Sequence, residues 1–180
     1  MTTPSNREPL WRKTSYRHYT LDPTLKFWLF DQGSLTQKLI TLSNKQFRVQ
    51  VLQQKIERAQ FSEYRALKLN NRRWAVIREV MLYGNDTPWV YARTIIPLST
   101  LKGKLRRLHY LGSRPLGGAL FADPSMRRKT VEIASVSAQH LPTKAKGVQP
   151  LWGRRSLFIL KDKPLLVGEI FLEELISLKA

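Results

Sequence analysis

The stretch Arg72–Pro97, RRWAVIREVMLYGNDTPWVYARTIIP, sets the frame for the whole chain. Two runs rich in aromatic and β-branched residues flank the turn cluster Gly84-Asn85-Asp86-Thr87, the pattern of a β-hairpin. Side chains alternate between faces along a strand. Trp74, Val76, Arg78, Val80 and Leu82 therefore share one face of the first arm, and Trp89, Tyr91, Arg93 and Ile95 share one face of the second. Each face is apolar except for one arginine. With the turn centred on Asn85-Asp86 and an even loop length, Arg78 falls directly opposite Arg93; an odd length breaks that pairing. Two like charges facing each other at ~6 Å repel by about 3 kcal/mol at an effective dielectric of ~20. A carboxylate or phosphate between the guanidinium groups would reverse the sign. The alternative is that each arginine pairs with a structural Asp or Glu, or snorkels past the sheet edge.

Upstream, residues 1–20 are polar, basic and aromatic and suit an irregular segment. Asp22 is placed to cap a helix that starts at Pro23 and runs to Phe30, offering Leu25, Trp28 and Leu29 to a core. Gly33 breaks it, and Ser34 can cap a second helix, Leu35–Leu42. Gln46–Val51 alternates as a half-exposed strand, and Leu52 ends the alternation. Ile56–Leu69 suits either an irregular charged helix or a long loop. Downstream of the hairpin, a helix capped at Ser99 or Thr100 is expected to run to about Tyr110, with Leu101, Leu105 and Leu108 inward and Gly112 as its stop. A short helical turn, PLGGALF, follows, then a strand over Lys129–Val136. Ser137–Pro150, rich in Lys, Gln, Pro and small residues, is expected to be a mobile loop.

A second hairpin closes the chain, Trp152–Leu160 and Lys163–Leu172 around Lys161-Asp162. Leu165, Val167, Glu169 and Phe171 share a face, so a carboxylate sits on an apolar stripe. A two-residue turn puts Arg154 opposite Glu169. A structural Arg–Glu pair and a partly buried acid, base or hydrogen-bond acceptor are both compatible with that arrangement.

A length of 180 residues fits a single domain, 1–180, with its own core. The pattern is α+β, an antiparallel sheet of about six strands with helices gathered on one side. No cysteine is present, which excludes disulfides, thiolate zinc sites and thiol nucleophiles. His18, His109 and His140 are scattered, and no metal site is expected from them. The first residues lack an apolar run behind their basic ones, so a cytoplasmic location is expected. The formal net charge of +18 favours anionic partners of some kind. Basic clusters at Lys102–Arg107, Arg127–Lys129 and Lys144–Arg155 come without a nucleic-acid-binding motif, so most of them suit a solvated surface.

Four segments together resemble the chorismate lyase family: IREVMLYGNDTPWVYARTIIPLST, LGSRPLGGALF, LWGRRS and KPLLVGEIFL. Their order and spacing hold from about Leu21 to Leu172. The resemblance implies an antiparallel sheet with helical flaps over an internal ligand site. It also implies cofactor-free conversion of chorismate to 4-hydroxybenzoate and pyruvate, the first step of ubiquinone synthesis. By the same resemblance, Arg78 matches the arginine that binds the ring carboxylate, Glu169 the glutamate near the ring hydroxyl, and Leu116 a backbone contact to the ligand. Leu35 matches a flap position where the family is expected to carry Met. Arg93 matches a second arginine, associated with the carboxylate-bearing side chain. Arg154, opposite Glu169, is placed to set its charge state. A monomer without specific nucleic-acid binding is expected, with its basic surface attracted to anionic membrane. A receptor of the same fold, binding a small acid without turning it over, is the alternative.

Overall fold

The computed structural model describes residues 8–13, 20–69, 74–142, 145 and 150–178. Its centre is one seven-stranded antiparallel sheet in the order β1-β5-β6-β7-β4-β3-β2. The strands are β1 (Arg12–Lys13), β2 (Phe47–Arg58), β3 (Trp74–Gly84), β4 (Thr87–Pro97), β5 (Arg127–Val136), β6 (Leu151–Leu160) and β7 (Lys163–Phe171). The strand beyond the expected six is the two-residue edge strand β1. The helices are α1 (Pro23–Phe30), α2 (Leu35–Leu42), α3 (Phe61–Ala66), α4 (Leu116–Phe121) and α5 (Glu173–Ile176), with a 3₁₀ helix over Gly103–Tyr110.

Local chemistry explains most boundaries. Asp22 Oδ1 accepts from the amides of Thr24 (2.8 Å) and Leu25 (3.3 Å), and Pro23 starts α1. Ser34 Oγ accepts from Gln37 N and starts α2. Both hairpin turns hold two consecutive residues at positive φ, Asn85-Asp86 and Lys161-Asp162, the conformation that matches the right-handed twist of the flanking strands. Gly112, at φ +57°, follows the 3₁₀ helix. The strand expected to end at Leu52 instead passes over a bulge between Val51 and Gln53 and runs on to Arg58, and α3 follows. Within Ser137–Pro150, Ala138–His140 form a 3₁₀ turn, and Leu141 and Ala145 are buried. Residues 143, 144 and 146–149 of that segment, and 1–7 and 14–19 of the N-terminal segment expected to be irregular, lie outside the described residues.

The first hairpin departs from the expected register. Gly84 pairs with Thr87 and Tyr83 with Pro88, but Leu82 pairs with Val90, so Trp89 is an extra residue in β4. Its ring lies where a Cβ on Gly84 would sit, within 2.0–2.4 Å, so only glycine fits there. The bulge moves every later pair by one residue: Arg78 pairs with Thr94, and Glu79 with Arg93. Arg78 and Arg93 therefore occupy opposite faces of the sheet. Their expected apposition is incorrect.

Each face carries two apolar clusters with a charged belt between them. On one face α1, α2 and α5 pack over Val80, Leu82, Val90, Ile133 and Phe171, and the 3₁₀ helix and α4 cover Val76, Ile96, Phe158 and Leu165. On the other face α3 packs near Ile77, Ile95, Leu157 and Leu166, and Leu141 and Ala145 pack near Met81, Tyr91 and Ile170. The helical cover is thus concentrated on the first face, with α3 on the second.

Candidate active site

A cavity lies between the sheet and its cover on the first face. Its floor comes from β3, β4, β6 and β7 with Val49 of β2 and Arg128 of β5, and its roof from Leu35 and Thr36 of α2 and from Leu116, Gly117 and Leu120 of α4. The two roof helices nearly touch: a Cβ on Gly117 would stand 2.4 Å from Thr36 Oγ1. The walls are mostly apolar, so the few polar groups stand out: Arg78, Arg128, Arg154 and Glu169.

Arg78 marks one end. It is 2 % exposed, and its Nη2 donates to the carbonyls of Gly112 (2.8 Å) and Arg114 (3.4 Å), while Nη1 donates to Gln54 Oε1 (3.3 Å). These bonds tie β3 to the loop that leads into α4. Among the described residues no carboxylate lies within ion-pair distance of Arg78. Burial therefore pulls its guanidinium below the usual arginine range.

Glu169 marks the other end. It stands two strands from Arg78 and two residues further along, which standard sheet spacings convert to about 12 Å between Cα atoms. The second hairpin has the expected register, and Arg154 lies directly opposite Glu169. Arg154 Nε donates to Glu169 Oε2 at 2.6 Å. Its Nη1 donates to the carbonyls of Trp28 (2.8 Å) and Asp31 (2.7 Å). Arg154 is only 1 % exposed, so it fixes the carboxylate and the end of α1 together.

Arg128 was hidden in the sequence among the basic residues assigned to the surface. A bulge in β5 between Arg128 and Val131 pairs it with Phe158 and turns it toward the cavity. Its Nε and Nη2 donate to Ser156 Oγ (3.0 and 2.7 Å), and Nη1 donates to the Asp31 carbonyl (3.0 Å). Burial, with the nearby Arg154 charge, pushes it down to about 10. The available sequence signal was weak. Had the strand been started at Arg127, strict alternation would still have sent Arg128 to the other face.

Arg93 does not reach this cavity. On the opposite face Nε donates to Glu63 Oε1 (2.7 Å), Nη2 to Glu63 Oε2 (3.3 Å), and Nη1 to Glu79 Oε1. Gln53 donates to the second oxygen of Glu79 (2.6 Å). Burial alone would lower the Arg93 guanidinium, but Glu63 and Glu79 outweigh it and hold it above its usual value. Of the possibilities left open for Arg93, an anion site, pairing with structural carboxylates or snorkelling past the sheet edge, pairing is the one observed. Arg93→Ala would strand both glutamates, and a loss of about 3–5 kcal/mol is expected for breaking such a buried network. Urea denaturation of the variant measures this; a loss below about 1 kcal/mol, within the range of an exposed ion pair, would contradict it.

The fold is shared with several solved structures. One is the ligand-binding domain of a putative GntR-family transcriptional regulator from Bordetella bronchiseptica (TM-score 0.52, 19 % identity, 71 % of this chain and 83 % of that one). Another is PhnF from Mycobacterium smegmatis (TM-score 0.58, 10 % identity, 81 % and 66 %). At such identities the likeness concerns fold alone. Sequence similarity goes further. The chorismate lyase family model matches residues 6–179. A probable chorismate pyruvate-lyase of Methylococcus capsulatus is 40 % identical over 157 residues, covering 85 % of this chain and 97 % of its own. One from Psychromonas ingrahamii is 39 % identical over 176 residues, covering 94 % and 93 %. An antiparallel sheet with a roofed cavity lined by Arg78, Arg128 and Arg154 is an arrangement able to hold a small acid. The chain belongs to the chorismate lyase family of enzymes.

Proposed function

We propose that the protein converts chorismate to 4-hydroxybenzoate and pyruvate, the first step of ubiquinone synthesis. One observation carries this: Arg78, buried with no carboxylate partner among the described residues, and Glu169, fixed as an acceptor by Arg154, stand at opposite ends of one roofed apolar cavity. Chorismate has a ring carboxylate para to a ring hydroxyl. Arg78 takes the carboxylate, and Glu169 accepts from the hydroxyl. Leu116, in the roof beside the carboxylate end, matches the family's backbone contact. Leu35 closes the roof over the ring in place of the expected Met, an exchange of similar apolar volume.

The reaction removes the hydrogen at the hydroxyl-bearing carbon and breaks the neighbouring ether C–O bond. The C–H electron pair becomes the third ring double bond, and the ether pair leaves with the enolpyruvyl oxygen. The proton ends on the methylene carbon of that fragment, which becomes pyruvate. Aromatisation supplies the driving force, so the site has mainly to orient the ring and to offset charge on the departing oxygen. Purified protein and chorismate should give equal amounts of 4-hydroxybenzoate and pyruvate, separated by chromatography, above the spontaneous rate. Tight binding of 4-hydroxybenzoate with no turnover would indicate a receptor on this fold.

The reading extends to a single-domain, cytoplasmic monomer, with a light-scattering mass near 21.0 kDa. Its +18 charge draws it to anionic membrane. Co-sedimentation with phosphatidylserine vesicles at low salt, lost as ionic strength rises, is expected; binding equal to that on neutral vesicles would exclude it.

A further inference from the structure

Arg93, expected from the resemblance to hold the carboxylate-bearing side chain of the substrate, is on the opposite face of the sheet. The cavity offers another arginine. Arg128 and Arg154 both donate to the carbonyl of Asp31, so their guanidinium groups converge on one oxygen. Arg154 is neutralised by Glu169, whereas Arg128, among the described residues, has a serine hydroxyl, a carbonyl and the face of the Phe158 ring, and no anion. Three of its five N–H groups are engaged in this way, which leaves one on each terminal nitrogen for a bidentate acceptor. Among the described residues no carboxylate stands within ion-pair distance of Arg128. With Arg78, the cavity carries two positive charges beyond what Glu169 offsets. A two-carboxylate ligand would supply the missing pair.

Position selects which carboxylate each arginine takes. In chorismate the enolpyruvyl arm leaves the ring carbon next to the hydroxyl-bearing one, far from the ring carboxylate. Arg128 stands at the Glu169 end of the cavity, where the hydroxyl is placed, and Arg78 at the other. We propose that Arg128 receives the enolpyruvyl carboxylate and stabilises that fragment as the ether bond breaks. This rests on the lyase reading and gives its substrate a second anchor. Arg128 is then a specificity-determining contact that 4-hydroxybenzoate, which lacks the arm, does not use.

The test compares wild type with Arg128→Gln and Arg128→Lys. In Arg128→Gln, kcat/KM for chorismate should fall at least ~100-fold, with 4-hydroxybenzoate affinity changed less than ~3-fold. Arg128→Lys, which keeps the charge and loses the fork, should lie between. A binding measurement independent of turnover uses 3-(carboxymethoxy)-4-hydroxybenzoate against 4-hydroxybenzoate. The preference for the dicarboxylate in wild type should drop ~30-fold or more in Arg128→Gln. Equal losses for both ligands would make Arg128 a structural residue, and unchanged turnover would remove it from the site. If wild type fails to turn over chorismate, the lyase reading falls, and the paired affinities still decide whether Arg128 holds a second carboxylate.

Discussion

Arg78→Ala is expected to weaken 4-hydroxybenzoate binding roughly 10²–10³-fold, because a desolvated guanidinium–carboxylate contact contributes about 3–4 kcal/mol when one partner is removed. Chorismate turnover should fall below detection at ordinary substrate levels. The fold should persist. Arg78 is paired with neutral groups, so its removal leaves no buried charge behind, only the Gly112 and Arg114 carbonyls and Gln54, which the cavity can hydrate. Calorimetric titration with 4-hydroxybenzoate, beside a thermal melt, separates the two effects. A variant that unfolds would make Arg78 a structural tie between β3 and the loop before α4. A variant that binds normally would move the carboxylate elsewhere. The pH dependence has a definite sign. Burial lowers the Arg78 guanidinium, so affinity should decline in the alkaline range earlier than for an ordinary arginine, and the bound carboxylate partly restores the proton.

Glu169→Gln is expected to cut kcat by at least ~100-fold, the lower end of what a positioned acid–base group supplies. The amide keeps one acceptor oxygen for Arg154 and turns its NH2 to donate to the ring hydroxyl oxygen, so 4-hydroxybenzoate affinity should change by less than ~10-fold. The split between the two quantities is the diagnostic. Equal losses in kcat and affinity would reduce Glu169 to a binding contact. A kcat within ~3-fold of wild type would take it out of the chemistry, leaving Arg154 and Glu169 as a structural ion pair.

The second hairpin was legible in the sequence almost completely. Lys161-Asp162 forms a two-residue turn, both arms alternate without interruption, and the Arg154–Glu169 pair follows by counting. The same holds for α1 and α2, whose caps and proline are local signals. The first hairpin was legible as an element and not as a register. Its turn is where expected, but Trp89 adds a residue just beyond it, and only tertiary packing of that ring over Gly84 shows this. Glu63 and Glu79 gave no sequence sign of meeting Arg93, since one is on α3 and the other is brought alongside by the bulge. Arg128 was lost for the same kind of reason. A bulge is written in no residue type, so alternation counted across it assigns the wrong face.

The bulges act as parity switches for the active site. Arg78 comes from the first hairpin and Glu169 from the second, and β4 is the strand that passes orientation between them. β7 fixes β4 by pairing Ala92 with Glu169. If Trp89 instead paired with Leu82 in an unbulged hairpin, Arg78 would align with Arg93 and face away from Glu169, and the carboxylate end of the cavity would lose its cation. The extra residue between Arg128 and Val131 does the same for β5. Deleting Trp89, or either of Lys129 and Thr130, takes out the extra residue itself and leaves Arg78 opposite Thr94 and Arg128 opposite Phe158, so the facing of both arginines should survive such a deletion. The same sequence paired without its bulges would keep the composition of the site and turn half of it inside out.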